Sequence, residues 1–203
     1  SLSTTQISWF ETTDVAAFNT GALRALNSAQ LAAWNSDQIG SLTNAQVAAL
    51  TTLQISNLNS ADLNALTITQ VPSLTSAQVG AIGTTQLSKM ETDDIAALST
   101  TAIRGLNSDQ IKALTTDEIV ALSAAQAGAI TSTQAAALTT LQLNKMETND
   151  LQSLTTTALR ALTSTQINNL SSDQIAALAN TQVAALTTTQ LASISSDALN
   201  ALT

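Results

Sequence analysis

The sequence predicts an all-α solenoid in which each eight-residue repeat forms a short capped helix of about two turns. Three observations predict this fold. A large apolar residue recurs every eight residues from Leu2 to Leu202 without insertion or deletion, and 18 of these 26 positions are Leu. A second apolar residue follows five positions later, beginning with Ile7. Directly before that second residue stands Gln, Asp or Glu in 21 of 25 repeats.

Other regular structures do not fit an eight-residue period. Eight residues advance a continuous α-helix by about 800°, so successive repeats would rotate by about 80° and no face would stay apolar. The apolar spacings of five and three also disagree with the two-residue period of a β-strand. One short helix per repeat is the interpretation that accommodates every position.

The polar positions supply the signals that start each helix. In the repeat that begins at Leu186, we predict Thr187 as the N-cap and Gln190 as its capping-box partner three residues later. Leu186 and Leu191 then form the hydrophobic staple across the cap. Such a cap contributes about 1 kcal/mol. One extended residue, the cap itself, is expected to separate consecutive helices.

Helices this short are unstable in isolation and must pack against their neighbours. The residue before the recurring Leu is Ala in 15 of 25 cases, which permits close approach of neighbouring segments. We therefore expect residues 1–203 to form a single array of 25 octapeptide repeats. The repeat is still in phase at Leu202, so we expect the chain to be a fragment of a longer repeat region.

Three related tracts indicate the number of repeats in each superhelical turn. The tract Lys89-Met90-Glu91-Thr92 recurs seven repeats later as Lys145-Met146-Glu147-Thr148. A related tract, Trp9-Phe10-Glu11-Thr12, lies ten repeats before the first. The two intervals differ by three repeats, which hints at three repeats per turn but leaves the number open.

The composition excludes several classes of function. His, Cys and Tyr are absent, so imidazole catalysis, thiol chemistry and most transition-metal sites have no ligands or nucleophiles. Six Lys and Arg stand against fourteen Asp and Glu, so no nucleic-acid partner is expected. There is no run of 18 apolar residues, so no membrane insertion is expected. We predict no enzyme activity, no cofactor and no metal site.

Three repeats depart from the consensus by carrying Glu at the cap position, namely Glu11, Glu91 and Glu147. An Arg follows each of them by thirteen residues, at Arg24, Arg104 and Arg160. One interpretation is structural, either an ion pair in each of the three places or a charged feature that recurs with a larger repeated block. The alternative is a recurring contact with a ligand or partner, in which Glu11, Glu91 and Glu147 take part.

All four aromatic residues lie within the first 34 positions. Phe10, Phe18 and Trp34 occupy Leu positions, so we expect them to cover the apolar core near the start of the array. Trp9 stands where Ala is usual and is expected to be exposed, which makes it a candidate partner contact. Ser or Thr also fills 21 of 25 positions just after the cap, a hydroxyl lattice suited to ordered water or O-linked sugars.

Two family resemblances follow from the repeat. The octads from Leu42 to Leu50 and from Leu178 to Leu186 resemble the start of the first helix in the DNA-binding repeats of bacterial TAL effectors. The chain lacks their length and cations, so DNA binding is not implied. Over all 25 octads the chain more closely resembles the Thr/Gln/Ala/Leu repeat tracts of large exported bacterial adhesin-like or haem-utilisation proteins. No His or Tyr is present to ligate haem iron.

That second resemblance implies a structural spacer, stalk or scaffold segment of a large bacterial surface or secreted protein, at an extracellular or cell-surface location. The expected partners are neighbouring repeats or domains of the parent protein, and the open end of an array also allows end-to-end self-association. The alternative function is a solenoid binding module that recognises a protein, peptide or glycan partner.

Overall fold

The computed structural model describes residues 2–196 and 199, and in these residues short helices follow one another along the chain. The described part contains 23 α-helices and one 3-10 turn, and it contains no strand. The helices pack on one another in a repeating arrangement. The prediction of an all-α solenoid is confirmed.

The chain divides into two compact units, and the first comprises Ser1–Gly105. Its helices are α1 Thr4–Ser8, α2 Thr12–Ala17, α3 Thr20–Ala25, α4 Ser28–Leu31, α5 Ser36–Gly40, α6 Asn44–Ala49, α7 Thr52–Asn57, α8 Ser60–Asn64, a 3-10 turn Val71–Ser73, α9 Ser76–Gly80, α10 Thr84–Leu87, α11 Thr92–Ala97 and α12 Thr100–Ile103.

The second unit comprises Leu106–Thr203. Its helices are α13 Ser108–Ala113, α14 Thr116–Val120, α15 Ala124–Ala129, α16 Ser132–Ala137, α17 Thr140–Lys145, α18 Thr148–Ser153, α19 Thr156–Ala161, α20 Ser164–Asn168, α21 Ser172–Ala176, α22 Asn180–Ala185 and α23 Thr188–Ser193.

The connections between helices are more extended than the sequence suggests. Each α-helix has four to six residues, which is less than two full turns. At most corners the recurring Leu and the cap are both extended, as at Leu50 (φ −54°, ψ 138°) and Thr51 (φ −74°, ψ 156°). Two extended residues therefore change the chain direction, where one was expected. No described residue has a positive φ, so these corners do not require glycine.

Within each unit, every helix packs against the helix three repeats further along the chain. In the first unit α1 packs on α4, α2 on α5 and α3 on α6. In the second unit α13 packs on α16, α14 on α17 and α15 on α18. Each unit thus completes one superhelical turn in three repeats, or 24 residues, a number that the sequence left open and at which the tract intervals only hinted.

The two apolar positions of each repeat form the core. The second apolar residue is almost fully buried, as at Ile55 and Leu143, and the recurring Leu is nearly as inaccessible, as at Leu58 and Leu138. Ala127 and Ala135, where the pattern has small residues, are also fully buried. Leu199, which continues the pattern near the end of the chain, is exposed, and Leu202 lies outside the described residues.

The predicted capping box is present in the repeat that begins at Leu186. The Gln190 backbone N–H donates to Thr187 Oγ1 at 3.2 Å. In return the Thr187 backbone N–H donates to Gln190 Oε1 at 2.9 Å. Leu186, the residue before the cap, is buried. Cap and core residue therefore lie side by side but contribute differently to stability.

Substitution of each residue separately should distinguish the two contributions. We expect Thr187→Ala to lower the free energy of unfolding by about 1 kcal/mol, because one cap hydrogen bond is lost. We expect Leu186→Ala to lower it by roughly 2–5 kcal/mol, because it leaves a cavity in the core. Urea unfolding followed by circular dichroism measures both values. Equal and negligible effects would contradict the assignment of cap and core.

Candidate functional site

The corners of the superhelix are where polar chemistry is concentrated. At each corner the start of one helix lies over the end of a helix from the preceding turn. Helix starts leave backbone N–H groups without partners, and helix ends leave carbonyl groups without partners. A buried corner therefore needs both a hydrogen-bond acceptor and a hydrogen-bond donor.

A glutamine three residues after the cap supplies both functions. The Thr139 backbone N–H donates to Gln142 Oε1 at 2.8 Å. The other end of the same amide, Gln142 Nε2, donates to the Ile111 carbonyl at 2.8 Å and to the Leu114 carbonyl at 2.7 Å. Gln142 is buried, and its side chain joins its own helix to the end of a helix one turn earlier.

The same arrangement recurs through both units, and we call these side chains the corner glutamines. Each donates from Nε2 to the carbonyls 28 and 31 residues earlier, as Gln46 does to Phe18 and Val15, both at 2.8 Å. Others with both bonds are Gln54, Gln78, Gln166, Gln174, Gln182 and Gln190. The spacing of 28 arises because Gln follows the recurring Leu by four residues and the turn repeats every 24.

Sequence reasoning identified these glutamines as cap partners and missed their bonds to the preceding turn. A signal for the second role was present. The capping box accepts Glu as well as Gln, yet this position holds Gln in 16 repeats and Glu in one. The excess of Gln indicates that an N–H donor is required there, since a carboxylate could only accept.

Four buried carboxyl groups occupy corner-glutamine positions, namely Asp62, Asp94, Glu118 and Asp150. Burial raises the pKa of Asp94 to about 6, with the Glu91 and Asp93 charges adding to the effect. Burial likewise raises the pKa of Asp150 to about 6, together with the Glu147 charge. Burial also raises the pKa values of Asp62 and Glu118, although hydrogen bonds from Asn59 and Thr115 oppose that rise.

The residues predicted to contact a partner are all exposed. Trp9 is 73% exposed, as its position predicted. Glu11 and Glu91 are exposed within the first unit, where they lie ten repeats apart. Ten is not a multiple of three, so these two residues lie on different edges of the superhelix. Glu147 is exposed in the second unit.

The predicted Glu–Arg ion pairs do not form among the described residues. The ion pair found there joins Lys112 Nζ to Asp109 Oδ1 at 3.7 Å on an exposed helix surface. Residues of successive turns lie over one another when they are about 24 positions apart in the sequence. Glu11 and Arg24 are only thirteen positions apart, and they lie at opposite ends of two consecutive helices: Glu11 caps the start of α2, and Arg24 is in the last turn of α3. That interpretation of the Glu and Arg spacing was wrong.

The aromatic residues at Leu positions pack on one another, a contact that the sequence did not predict. The rings of Phe10 and Phe18 meet edge to face with centroids 5.1 Å apart, and Phe18 meets Trp34 in the same way at 6.0 Å. Trp34 is buried, whereas the two Phe rings are half-buried. An open concavity of about 440 Å³ adjoins the rings, and its lining includes Phe10, Phe18 and Asp14.

The described residues contain neither a membrane-spanning helix nor a cluster of metal ligands. No described helix is long and apolar enough to cross a membrane. Across residues 2–196 and 199, no group of three or more acidic, His or Cys side chains lies close enough together to hold a metal ion.

The donor role of the corner glutamines can be tested by one change of atom type. Gln142→Glu keeps the acceptor for the Thr139 N–H but removes the donor to Ile111 and Leu114. We expect it to lower the free energy of unfolding by about 1–3 kcal/mol at neutral pH, the cost of unsatisfied buried polar groups. Urea unfolding monitored by circular dichroism gives the value.

Gln6→Glu is the matched control for that measurement. Gln6 accepts from the Ser3 N–H at 2.9 Å in the same kind of capping box, but it is exposed and its Nε2 donates to no carbonyl. We expect its effect to stay within about 0.5 kcal/mol. Equal losses in the two variants would contradict an essential donor at the corner.

Comparison with known proteins connects this architecture to a family. Five segments of the chain match the ALTTAQ repeat, at residues 7–44, 15–52, 55–90, 87–124 and 143–180, and together they cover well over half of the chain. No curated protein sequence matches the chain. The six residues from Ala185 to Gln190 read Ala-Leu-Thr-Thr-Thr-Gln, close to the family's name. The chain therefore belongs to the ALTTAQ repeat family.

Proposed function

We propose that this chain is a structural repeat segment that acts as a spacer, stalk or scaffold in a large bacterial surface or secreted protein. The observation that carries the proposal is the use of the corner glutamines. Gln142, for example, bonds its own cap and two carbonyls of the preceding turn. Polar groups that could bind a ligand instead form hydrogen bonds that join one turn to the next.

The surface composition also supports a mechanical role. Exposed positions carry mostly short polar side chains, and only 10% of all residues are charged. Because each turn is stabilised mainly by its neighbours, the length of such an array is set by the number of repeats. An extracellular location is part of the proposal and rests on the resemblance to repeat tracts of exported adhesin-like proteins.

Removal of whole turns should test the spacer proposal. Deletion of residues 123–170 removes six repeats, or two turns, and joins Leu122 to Ser171 in phase. In an open array with helices about 8–10 Å apart, this should shorten the maximum dimension by about 16–20 Å. Small-angle X-ray scattering of the full chain and the deletion variant measures both the length and the cross-section.

The expected result is a shorter particle with an unchanged cross-section. Two results would contradict a spacer whose length is set by the number of repeats. One is an unchanged maximum dimension, and the other is a change in cross-section as large as the change in length. Circular dichroism of both proteins checks that the remaining repeats stay helical.

A binding module is the second candidate, and the exposed Trp9 favours it. An indole that is 73% exposed offers a large apolar surface for a glycan or peptide. The neighbouring residue Phe10 lines the open concavity together with Phe18 and Asp14, so aromatic and acidic groups occur in one small area.

Screening on glycan and peptide arrays should show whether this area binds a ligand. If it does, Trp9→Ala should abolish any signal that the unsubstituted chain gives. Leu53→Ala is the matched control, because Leu53 is 65% exposed in the same unit and lies outside the concavity lining. Equal signals from both variants would contradict a role for Trp9.

A further inference from the structure

Asp150 occupies a corner-glutamine position without a glutamine's hydrogen bonds. Its side chain is 3% exposed, and its Oδ2 atom is buried with no hydrogen-bond partner. The cap before it is Glu147, whose side chain makes no cap hydrogen bond. The corner therefore contains a buried carboxyl oxygen that nothing in its own repeat satisfies.

The carbonyls beneath this position lack the donor that glutamine supplies elsewhere. At the corner before Asp150 and at the second corner after it, the Leu114 and Leu138 carbonyls accept from Gln142 and Gln166. The corner directly after Asp150 has Ala158, which has no side-chain donor. The equivalent carbonyl, 28 residues before Asp150, belongs to Leu122, and it accepts no hydrogen bond. The corner thus has an unpaired acceptor on the preceding turn and an unpaired oxygen on Asp150, and no side chain of this repeat donates to either.

No positive charge compensates an ionised Asp150. Helix α18, which holds Asp150, packs on α15, which has no charged residue, and on α21, whose charged residue is Asp173. Within its own repeat the nearby charge is Glu147. The helix one turn below the corner, α14, carries Asp117 and Glu118. Lys145 ends the preceding helix and Arg160 lies in the following one, and neither forms an ion pair with Asp150.

Two further corners show what decides the state of such a carboxyl group. At Asp94 the arrangement recurs, with Glu91 as the cap and a buried Oδ2 that has no partner. At Asp62 the cap is Asn59, and Asn59 Nδ2 donates to Asp62 Oδ2 at 2.7 Å. A third corner, at Glu118, has a buried Oε1 without a partner although its cap is Thr115. What distinguishes Asp62 is therefore the side-chain N–H that Asn59 donates.

We propose that Asp150 binds a proton in the folded array, and that its neutral carboxyl group takes the place of the missing glutamine by donating its O–H to the Leu122 carbonyl. Ionisation removes that donor and places a negative charge beside carbonyl oxygens. The corner at Asp150 is then held more firmly in mildly acidic surroundings than in neutral ones. Protonation forms one O–H bond on the carboxylate and consumes one solvent proton, with no other reactant.

The direction of the pH effect follows from linkage. Burial raises the pKa of Asp150 from 3.8 to about 6 in the folded chain. The folded chain then binds more protons than the unfolded chain between these values. The stability that this proton contributes is fully present below about pH 4 and is lost as the pH rises through about 6.

The direct test is the titration of Asp150 in the intact chain. The ¹³C chemical shift of its side-chain carboxyl carbon, followed by NMR between about pH 3 and pH 8, should show a midpoint well above the ordinary Asp value of about 3.9. The unsubstituted protein is used, so the result does not depend on whether a variant folds. A midpoint at or below the ordinary Asp value overturns the proposal.

Asp150→Asn tests the consequence for stability, because its amide N–H is a donor at every pH. Between about pH 4 and pH 8, the folding equilibrium constant of the unsubstituted chain should fall at least about tenfold more than that of this variant. Asp173→Asn is the control, since it removes the same charge from an exposed position in a packed neighbouring helix. Equal pH dependence in the two variants overturns the proposal.

Addition of millimolar CaCl₂ distinguishes proton binding at Asp150 from binding of a metal ion. If calcium at about pH 7.5 stabilises the unsubstituted chain but not Asp150→Asn, the corner binds a metal ion and the proposal is overturned. If calcium affects both proteins alike, while the NMR midpoint is raised, the proton assignment stands.

Discussion

The structure depends on how very short helices satisfy their backbone groups at the corners. A helix of six residues leaves most of its N–H and carbonyl groups without an internal partner. The corner glutamine meets this constraint because one planar amide accepts at one end and donates at the other. Through Gln142, the cap at Thr139 and the carbonyls at Ile111 and Leu114 become parts of one hydrogen-bonded corner. The apolar core supplies cohesion, and these amides fix where each turn lies on the previous one.

This constraint also explains the unusual composition. Sixteen repeats have Gln at the corner position, and hydroxyl or Asn caps begin most helices. Few charges remain, and three of the carboxyl groups buried at corners, those of Asp94, Glu118 and Asp150, have an oxygen without a hydrogen-bond partner. A glutamine amide at the corner donates a hydrogen bond at every pH. A carboxyl group at the same position can donate only when it is protonated. Composition and pH response thus have one physical origin.

The use of polar side chains to join successive turns also supports the proposed function. When the polar groups of a repeat are used to hold the next turn, repeat number can change without loss of a binding site. That property suits a spacer whose length is adjusted by gain or loss of repeats. The area around Trp9 and Phe10 departs from this uniformity, since it combines an exposed indole with an open concavity. It is accordingly the place where a binding role would be found.

The sequence by itself determined the helix starts, the core and the exposure of Trp9, because caps, staples and apolar spacing act within about eight residues. The number of repeats per turn was left open by the sequence and is given by the packing of helices three repeats apart. Only the tertiary structure decided which distant groups meet. The corner glutamines reach carbonyls 28 and 31 residues away, and the capping-box pattern alone does not distinguish Gln from Glu. The expected Glu11–Arg24 pair failed for the same reason: the 24-residue stacking interval, not the separation of thirteen along the chain, decides which side chains come into contact.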